Sequence, residues 1–160
     1  MTRSTVMGIV NVTPDSFSDG GVFSTPEQAI ERALRLVDEG ADIIDIGGES
    51  TRPGAEAVSP EEELERVLPV IRGLRRQSPI SISIDTMKAR VASEALQCGA
   101  TMINDVSAGQ ADPEMLGVAA HTGVPICLMH MRGNPRSMQH DVVYDDLVGE
   151  VRAALAALAA

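Results

Sequence analysis

Aromatic side chains are almost missing from this sequence: Phe17, Phe23 and Tyr144 are the whole set, and there is no tryptophan. Single-strand nucleic-acid binders stack bases on aromatic platforms within a positive groove. Neither condition is met, because the formal net charge is −10. That field repels phosphate backbones and anionic lipid alike, which excludes nucleic acid and membrane surfaces as expected partners. An anionic substrate would need a local positive or amide-lined site. No apolar run approaches membrane-spanning length. Met1-Thr2-Arg3-Ser4-Thr5 leads directly into a short apolar stretch without a signal-peptide core, so the expected location is the cytoplasm. Cysteine is scarce too. Cys98 and Cys127 lie among apolar neighbours, away from metal-ligand spacing, and are expected to be buried free thiols rather than a disulfide or a nucleophile.

What is present suits one globular domain: 160 residues, 44% of them hydrophobic and 22% charged, with no low-complexity tract. Five short apolar runs recur, at Val6 to Val10, Asp42 to Ile46, Ile80 to Ile84, Thr101 to Ile103 and Pro125 to Met129. Their brevity and β-branched content predict buried parallel strands. A helical pattern follows each. The first helix opens at Thr25-Pro26-Glu27-Gln28, with an N-cap, a proline at the first position and a capping-box Gln, and Gly40 ends it. The second repeats that opening at Ser59-Pro60-Glu61-Glu62, and Pro69 inside it predicts a kink or a lost hydrogen bond. Further helices are expected from about Met87 to Gly99, from Asp112-Pro113 to Gly123, and from about Asp141 onward.

Strand and helix alternate with no hairpin signal, which predicts a parallel sheet with right-handed crossovers. The candidates are a doubly wound open sheet and a (β/α)8 TIM barrel. Asn11 and Asp15 follow the first strand, and Glu49, Ser50, Thr51 and Arg52 follow the second. Asp85 ends the third, Asn104 and Asp105 the fourth, and His130 the fifth. Both folds build sites at strand C-termini, but an open sheet confines its site to one crevice. Polar residues after every strand favour the barrel. Such a barrel takes about 250 residues, so residues 1–160 are expected to form the N-terminal part of an incomplete one, in a single domain.

Each motif has a plainer reading. The polar stretch from Asn11 to Gly21 is either a solvated connector or a functional lid. Glu49-Ser50-Thr51-Arg52-Pro53-Gly54, after Gly47-Gly48, suits an oxyanion: glycines admit backbone N–H groups and Arg bonds bidentately. It matches neither a Walker loop nor a dinucleotide fingerprint. Asp85 and the Asn104-Asp105 pair serve equally as helix caps, or as an Asp and an Asn reading a heterocycle that carries amide and amino groups. His130 reads first as a packed, hydrogen-bonded structural histidine, and His121 and His140 as surface residues.

Taken together, Met7-Gly8-Ile9-Val10-Asn11-Val12-Thr13-Pro14-Asp15-Ser16-Phe17, Asp45-Ile46-Gly47-Gly48-Glu49-Ser50-Thr51-Arg52-Pro53-Gly54, Ile84-Asp85-Thr86, Ile103-Asn104-Asp105-Val106 and Leu128-Met129-His130 closely resemble dihydropteroate synthase, in order, from Val6 to about Gln139. The resemblance implies a pterin-binding (β/α)8 barrel. It also implies condensation of 6-hydroxymethyl-7,8-dihydropterin pyrophosphate with p-aminobenzoate, in a family that sulfonamides target. By the same resemblance Asp85 and Asn104 hydrogen-bond the pterin, and Val106 and Met129 pack against it. Thr51 and Arg52 bind the pyrophosphate, Asn11 ligates Mg²⁺, and the loop of Asp15 and Phe17 shapes the p-aminobenzoate pocket. Asp15 would also stabilise positive charge on the pterin.

The family's later strands supply further pterin and anion ligands and most of its homodimer surface. The resemblance therefore carries neither a dimer nor independent activity to these 160 residues. A methyltetrahydrofolate–corrinoid methyltransferase uses a related barrel but needs neither the Ser50-Thr51-Arg52 loop nor the Thr13-Pro14-Asp15-Ser16-Phe17 segment. A half-barrel that binds pterin without turnover is the non-enzyme alternative.

Overall fold

A computed structural model of the chain describes residues 3–13, 25–50, 57–133 and 142–159. Strands β1 (Met7–Asn11), β2 (Ile43–Gly47), β3 (Ser81–Asp85), β4 (Met102–Asp105) and β5 (Ile126–Leu128) alternate with helices α1 (Pro26–Asp38), α2 (Pro60–Gln77), α3 (Ala89–Gln97), α4 (Met115–Thr122) and α5 (Leu147–Leu158). All neighbouring strands pair parallel. The strands lie in sequence order, β1 to β5. No order reversal occurs, so the doubly wound alternative falls and the barrel-type arrangement stands.

Register makes the two faces of the sheet chemically different. Side chains alternate along a strand, and paired positions share a face. Gly8, Val10, Ile44, Ile46, Ile82, Ile84, Ile103 and Ile126 therefore share one face. Helices cover it: Val10 and the isoleucines of β2 to β4 on this face join Ala29 and Ala33 of α1, Val67, Val70, Ile71 and Leu74 of α2, Val91, Ala92 and Ala95 of α3, and Met115 and Ala119 of α4 in one core, with Ile126 packed against it. Each fully buried isoleucine contributes roughly 2 kcal/mol. The other face carries Met7, Ile9, Asn11, Ile43, Asp45, Gly47, Ser81, Ser83, Asp85, Met102, Asn104 and Cys127. Ile9 on edge strand β1 is 62% exposed there.

Gly48 sets the spacing between sheet and helix. A Cβ at this position would sit 2.8 Å from Val67 Cγ1 and 3.2 Å from the Glu63 carbonyl oxygen. Arg66 closes the same approach by donating to the Gly48 carbonyl at 2.7 Å.

Several expectations need adjustment. Each strand runs one or two residues further than its apolar run, except β5, so Asn11, expected to follow β1, is its last residue, while Asp85 ends β3 and Asn104-Asp105 end β4 as expected. Thr25 is the N-cap of α1 without a side-chain capping bond, whereas Ser59 Oγ accepts from Glu62 N in α2 at 3.1 Å. α3 starts later than Met87 because Thr86 Oγ1 accepts from Lys88 N and holds Lys88 extended. Asp112, expected to open α4, accepts from Glu114 N through Oδ1 at 3.0 Å at the turn leading into that helix, and its Oδ2 also accepts from Ala89 N at 2.8 Å and so caps α3. Pro69 is accommodated inside α2 because it stands on the solvent side, where water can satisfy the carbonyl it leaves unpaired.

Candidate functional site

The helix-free face gathers the polar strand residues. Asn11, Gly47, Asp85 and Asn104 form one row across four strands, joined by the pairings Asn11–Gly47, Gly47–Asp85 and Asp85–Asn104. One residue pair deeper, Asp45 sits beside Ser83. Asn104 Nδ2 donates to Asp45 Oδ2 at 3.0 Å. Asp45 is only 3% exposed and Ser83 is fully buried. Among the described residues neither Asp45 Oδ1 nor Ser83 Oγ has a hydrogen-bond partner. Buried polar atoms without partners cost free energy, so this floor suits a ligand that brings its own donors and acceptors.

Gly47 keeps the row open. A Cβ there would lie 3.3 Å from Asp85 Oδ2 and 3.5 Å from Asn11 Oδ1. Glycine thus leaves room between two oxygen-bearing side chains from β1 and β3.

Asp85 is electrostatically distinct. Burial, followed by the like charges of Asp45, Glu63, Asp105 and Glu49, pushes its pKa up to about 7. Near neutrality it exchanges a proton readily. A ligand presenting N–H donors would favour its ionised form, since a carboxylate accepts and a carboxylic acid must also donate.

The paired residues Asn104 and Asp105 divide the two roles that the sequence left open. Asn104 faces the polar row. Asp105 points to the helix side, fully buried, and accepts from Ser107 N at 2.8 Å, Ser107 Oγ at 2.7 Å and Gly109 N at 2.7 Å. It holds the turn that contains Ala108 (φ 54°) and Gly109 (φ 78°), left-handed conformations that need such support. Thr86, directly after Asp85, is buried and donates its N–H to the Asn104 carbonyl at 3.1 Å.

Val106 follows β4 and is half-buried, and Met129 follows the neighbouring β5 and is exposed. His130 Nε2 hydrogen-bonds the Tyr144 hydroxyl at 3.2 Å, and the Arg132 guanidinium lies 3.9 Å from the Tyr144 ring centroid. Asp15, Phe17, Thr51 and Arg52 lie outside the described residues. Just after β1, Val12 N donates to the Gly47 carbonyl at 2.7 Å, and Thr13 is buried.

Among the described residues no group of three or more His, Cys, Asp and Glu is placed to hold a metal ion. The thiols are free, Cys98 half-buried and Cys127 exposed. The expectation of burial fails for Cys127 because it faces the helix-free side of β5, level with Asn104. Asp45 and Ser83 were not anticipated as site residues. Both sit inside short runs read as apolar strands, and only their alternation with isoleucine signalled a second, polar face.

A sequential parallel sheet with a polar cluster at its strand ends defines a ligand-binding domain of the barrel class. The sequence model of the pterin binding enzyme family matches residues 7–160, and the chain belongs to that family. Its similarity is to dihydropteroate synthases. The Synechocystis enzyme is 58% identical over 150 residues, covering 94% of this chain and 52% of the relative. The Escherichia coli enzyme is 51% identical over 146 residues, covering 91% and 51%. Among solved structures, Yersinia pestis dihydropteroate synthase in complex with a sulfonamide drug superposes with a TM-score of 0.91 at 50% identity, covering 98% of this chain and 56% of that one. Xanthomonas albilineans dihydropteroate synthase with 4-aminobenzoic acid gives 0.86 at 52% identity, with 98% and 55% coverage. The chain thus spans about half the length of the curated relatives it matches.

Proposed function

We propose that this chain carries the pterin- and pyrophosphate-binding side of a dihydropteroate synthase site, serving the condensation of 6-hydroxymethyl-7,8-dihydropterin pyrophosphate with p-aminobenzoate. The observation that carries this reading is the row of Asp85 and Asn104 beside buried Asp45, in a member of the pterin binding enzyme family. Asp85 accepts N–H donors from the pterin, and Asn104, held by Asp45, both donates and accepts. Val106 and Met129 supply aliphatic and thioether packing, the walls available in a chain with three aromatic residues.

In the proposed reaction the amine nitrogen of p-aminobenzoate bonds to the pterin's exocyclic methylene carbon. The bond from that carbon to the pyrophosphate oxygen breaks, and the amine gives up a proton. Thr51 and Arg52 bind the departing pyrophosphate, where Arg neutralises charge developing on oxygen. Asp15 stabilises positive charge delocalised into the dihydropterin, and the segment around Phe17 shapes the p-aminobenzoate pocket.

The donor set suits a magnesium ion: Asn11 offers a carbonyl oxygen beside the gap at Gly47, and Mg²⁺ commonly takes one or two protein oxygens together with substrate phosphates. When bound, it would supply neutralising charge for the pyrophosphate, with Asn11 as its protein ligand. A cytoplasmic setting belongs to the same proposal. Among the described residues no helix is long and apolar enough to cross a membrane.

The test is calorimetric binding of pterin pyrophosphate with Mg²⁺, alongside an assay of pyrophosphate release when p-aminobenzoate is added. Asp85→Asn and Arg52→Ala are each expected to weaken binding roughly tenfold or more, the loss for one charge-assisted hydrogen bond. No binding by the parent chain, or binding indifferent to both substitutions, would sink the reading.

A further inference from the structure

Among the described residues Ala108 is the one non-glycine with a positive φ, 54°, and it is fully buried. A side chain in this conformation costs free energy and persists only where its surroundings over-determine it. Such strain collects at active sites and ligand clamps. β4 ends at Asp105, so strand pairing no longer holds the chain beyond it. The Asp105 carboxylate takes over. Its Oδ1 accepts from Ser107 N and Ser107 Oγ, at 2.8 and 2.7 Å, and its Oδ2 accepts from Gly109 N at 2.7 Å. Ser107 is 4% exposed and passes the constraint on, because its Oγ also accepts from Ala111 N at 3.2 Å. From the other side Leu116 of α4 abuts Gly109: a Cβ there would lie 2.8 Å from Leu116 Cγ.

The helix-side core makes no use of this turn's apolar residues. Among the described residues neither Ala108 nor the half-buried Val106 belongs to that core or packs against it. What the turn's fixed shape determines is the place of Val106, two residues beyond Asn104.

We propose that Asp105 and Ser107 are positioning residues for the ligand: they hold the left-handed turn of Ala108 and Gly109 and thereby fix Val106 as the apolar wall beside the Asp85–Asn104 row. The role rests on the proposed function, which packs Val106 against the pterin. Asp105 is also one of the like charges acting on Asp85, so replacing it would disturb the row directly. Ser107 and Ala108 are uncharged, and substitutions there alter the turn while leaving those charges in place.

Ser107→Ala deletes the two bonds of the hydroxyl and keeps both backbone bonds to Asp105. 6-Hydroxymethylpterin is titrated by calorimetry into the parent, Ser107→Ala, Val106→Ala and their double variant, with thermal midpoints establishing that each is folded. Ser107→Ala is expected to lower pterin affinity roughly fivefold, the loss for about one hydrogen bond. Once Val106→Ala is in place it should have little further effect, because residues that act through one contact are not additive. Adding Ala108→Gly to Ser107→Ala lifts the left-handed penalty and should restore part of the affinity. Unchanged affinity in Ser107→Ala, an equal loss with and without the Val106 side chain, or no recovery with Ala108→Gly overturns the positioning role. If Ser107→Ala does not fold, the same cycle is run with Ser107→Cys, whose thiol keeps a weak donor and acceptor. A parent chain that binds no pterin defeats the proposed function instead. Hydrogen exchange at Ser107, Gly109 and Ala111 then decides the turn alone: faster exchange in Ser107→Ala supports the clamp and unchanged exchange overturns it.

Discussion

Asn104 on β4 reaches diagonally over β3 to Asp45 on β2, donating through Nδ2 to Oδ2 at 3.0 Å. The bond links strands that are not neighbours in the sheet, and it is the one partner found for the buried Asp45 carboxylate among the described residues. Asn104→Ala is expected to leave both Asp45 oxygens unpaired and to destabilise the fold by about 1–3 kcal/mol. Adding Asp45→Ala should recover part of that loss. Urea denaturation of the two single variants and the double variant measures the coupling.

The pH dependence of stability follows from Asp85, whose pKa in the folded protein is about 7, above the ordinary 3.8. Below pH 4 the carboxyl is protonated in both folded and unfolded chains. Between about 4 and 7 the unfolded chain releases the proton and the folded chain retains it, so stability falls as pH rises, then levels off. Asp85→Asn should remove this slope, gaining on the parent by a few kcal/mol at most above pH 7 and by nothing at pH 4. Denaturation midpoints from pH 4 to 8 check it.

Ligand binding should show the opposite trend. An N–H-rich heterocycle selects the ionised Asp85, so pterin affinity is expected to rise through pH 7 in the parent and to stay flat in Asp85→Asn. Calorimetry at pH 6 in buffers of different ionisation enthalpy should register proton release on binding.

Adjacent glycines should separate stability from binding. Gly48→Ala drives a methyl against Val67 and the Glu63 backbone, and overpacking of this kind costs about 1–3 kcal/mol. For Gly47→Ala the nearest atoms among the described residues are in the Asp85 and Asn11 side chains, at 3.3 and 3.5 Å. Its thermal midpoint should stay near the parent's while pterin pyrophosphate affinity drops.

Cys127 reports on the site directly. It is exposed and level with Asn104, whereas Cys98 is half-buried beside the Arg72 guanidinium. A thiol reagent should modify Cys127 first. Pterin bound over Asn104 should slow that modification and leave the rate at Cys98 unchanged.

The alternation of elements was legible from the sequence because proline-opened helices and short β-branched runs have distinct periods. The strand ends were less so. Apolar content marks where a strand is buried, and Asn11, Asp85 and Asn104 continue the pairing in polar form. Asp45 and Ser83 escaped notice for a related reason: a single polar residue between isoleucines reads as an interruption until the register shows that it has a face of its own. The double duty of Asp105 and Asp112 was invisible locally. Asp105 serves a turn beyond its strand, and Asp112 caps a helix 23 residues earlier in the chain.

The alternation of the strands works as a reading frame. Ser81-Ile82-Ser83-Ile84-Asp85 presents isoleucine to the helices and polar groups to the open face only in its present register. Deleting one residue within it would thrust Asp85 among the isoleucines and turn the isoleucines toward the ligand, because a one-residue slip inverts every side chain. A two-residue deletion would preserve the phase and merely shorten the strand. Length variation within these strands is therefore quantised in pairs, and a single-residue change belongs in the segments between strand and helix.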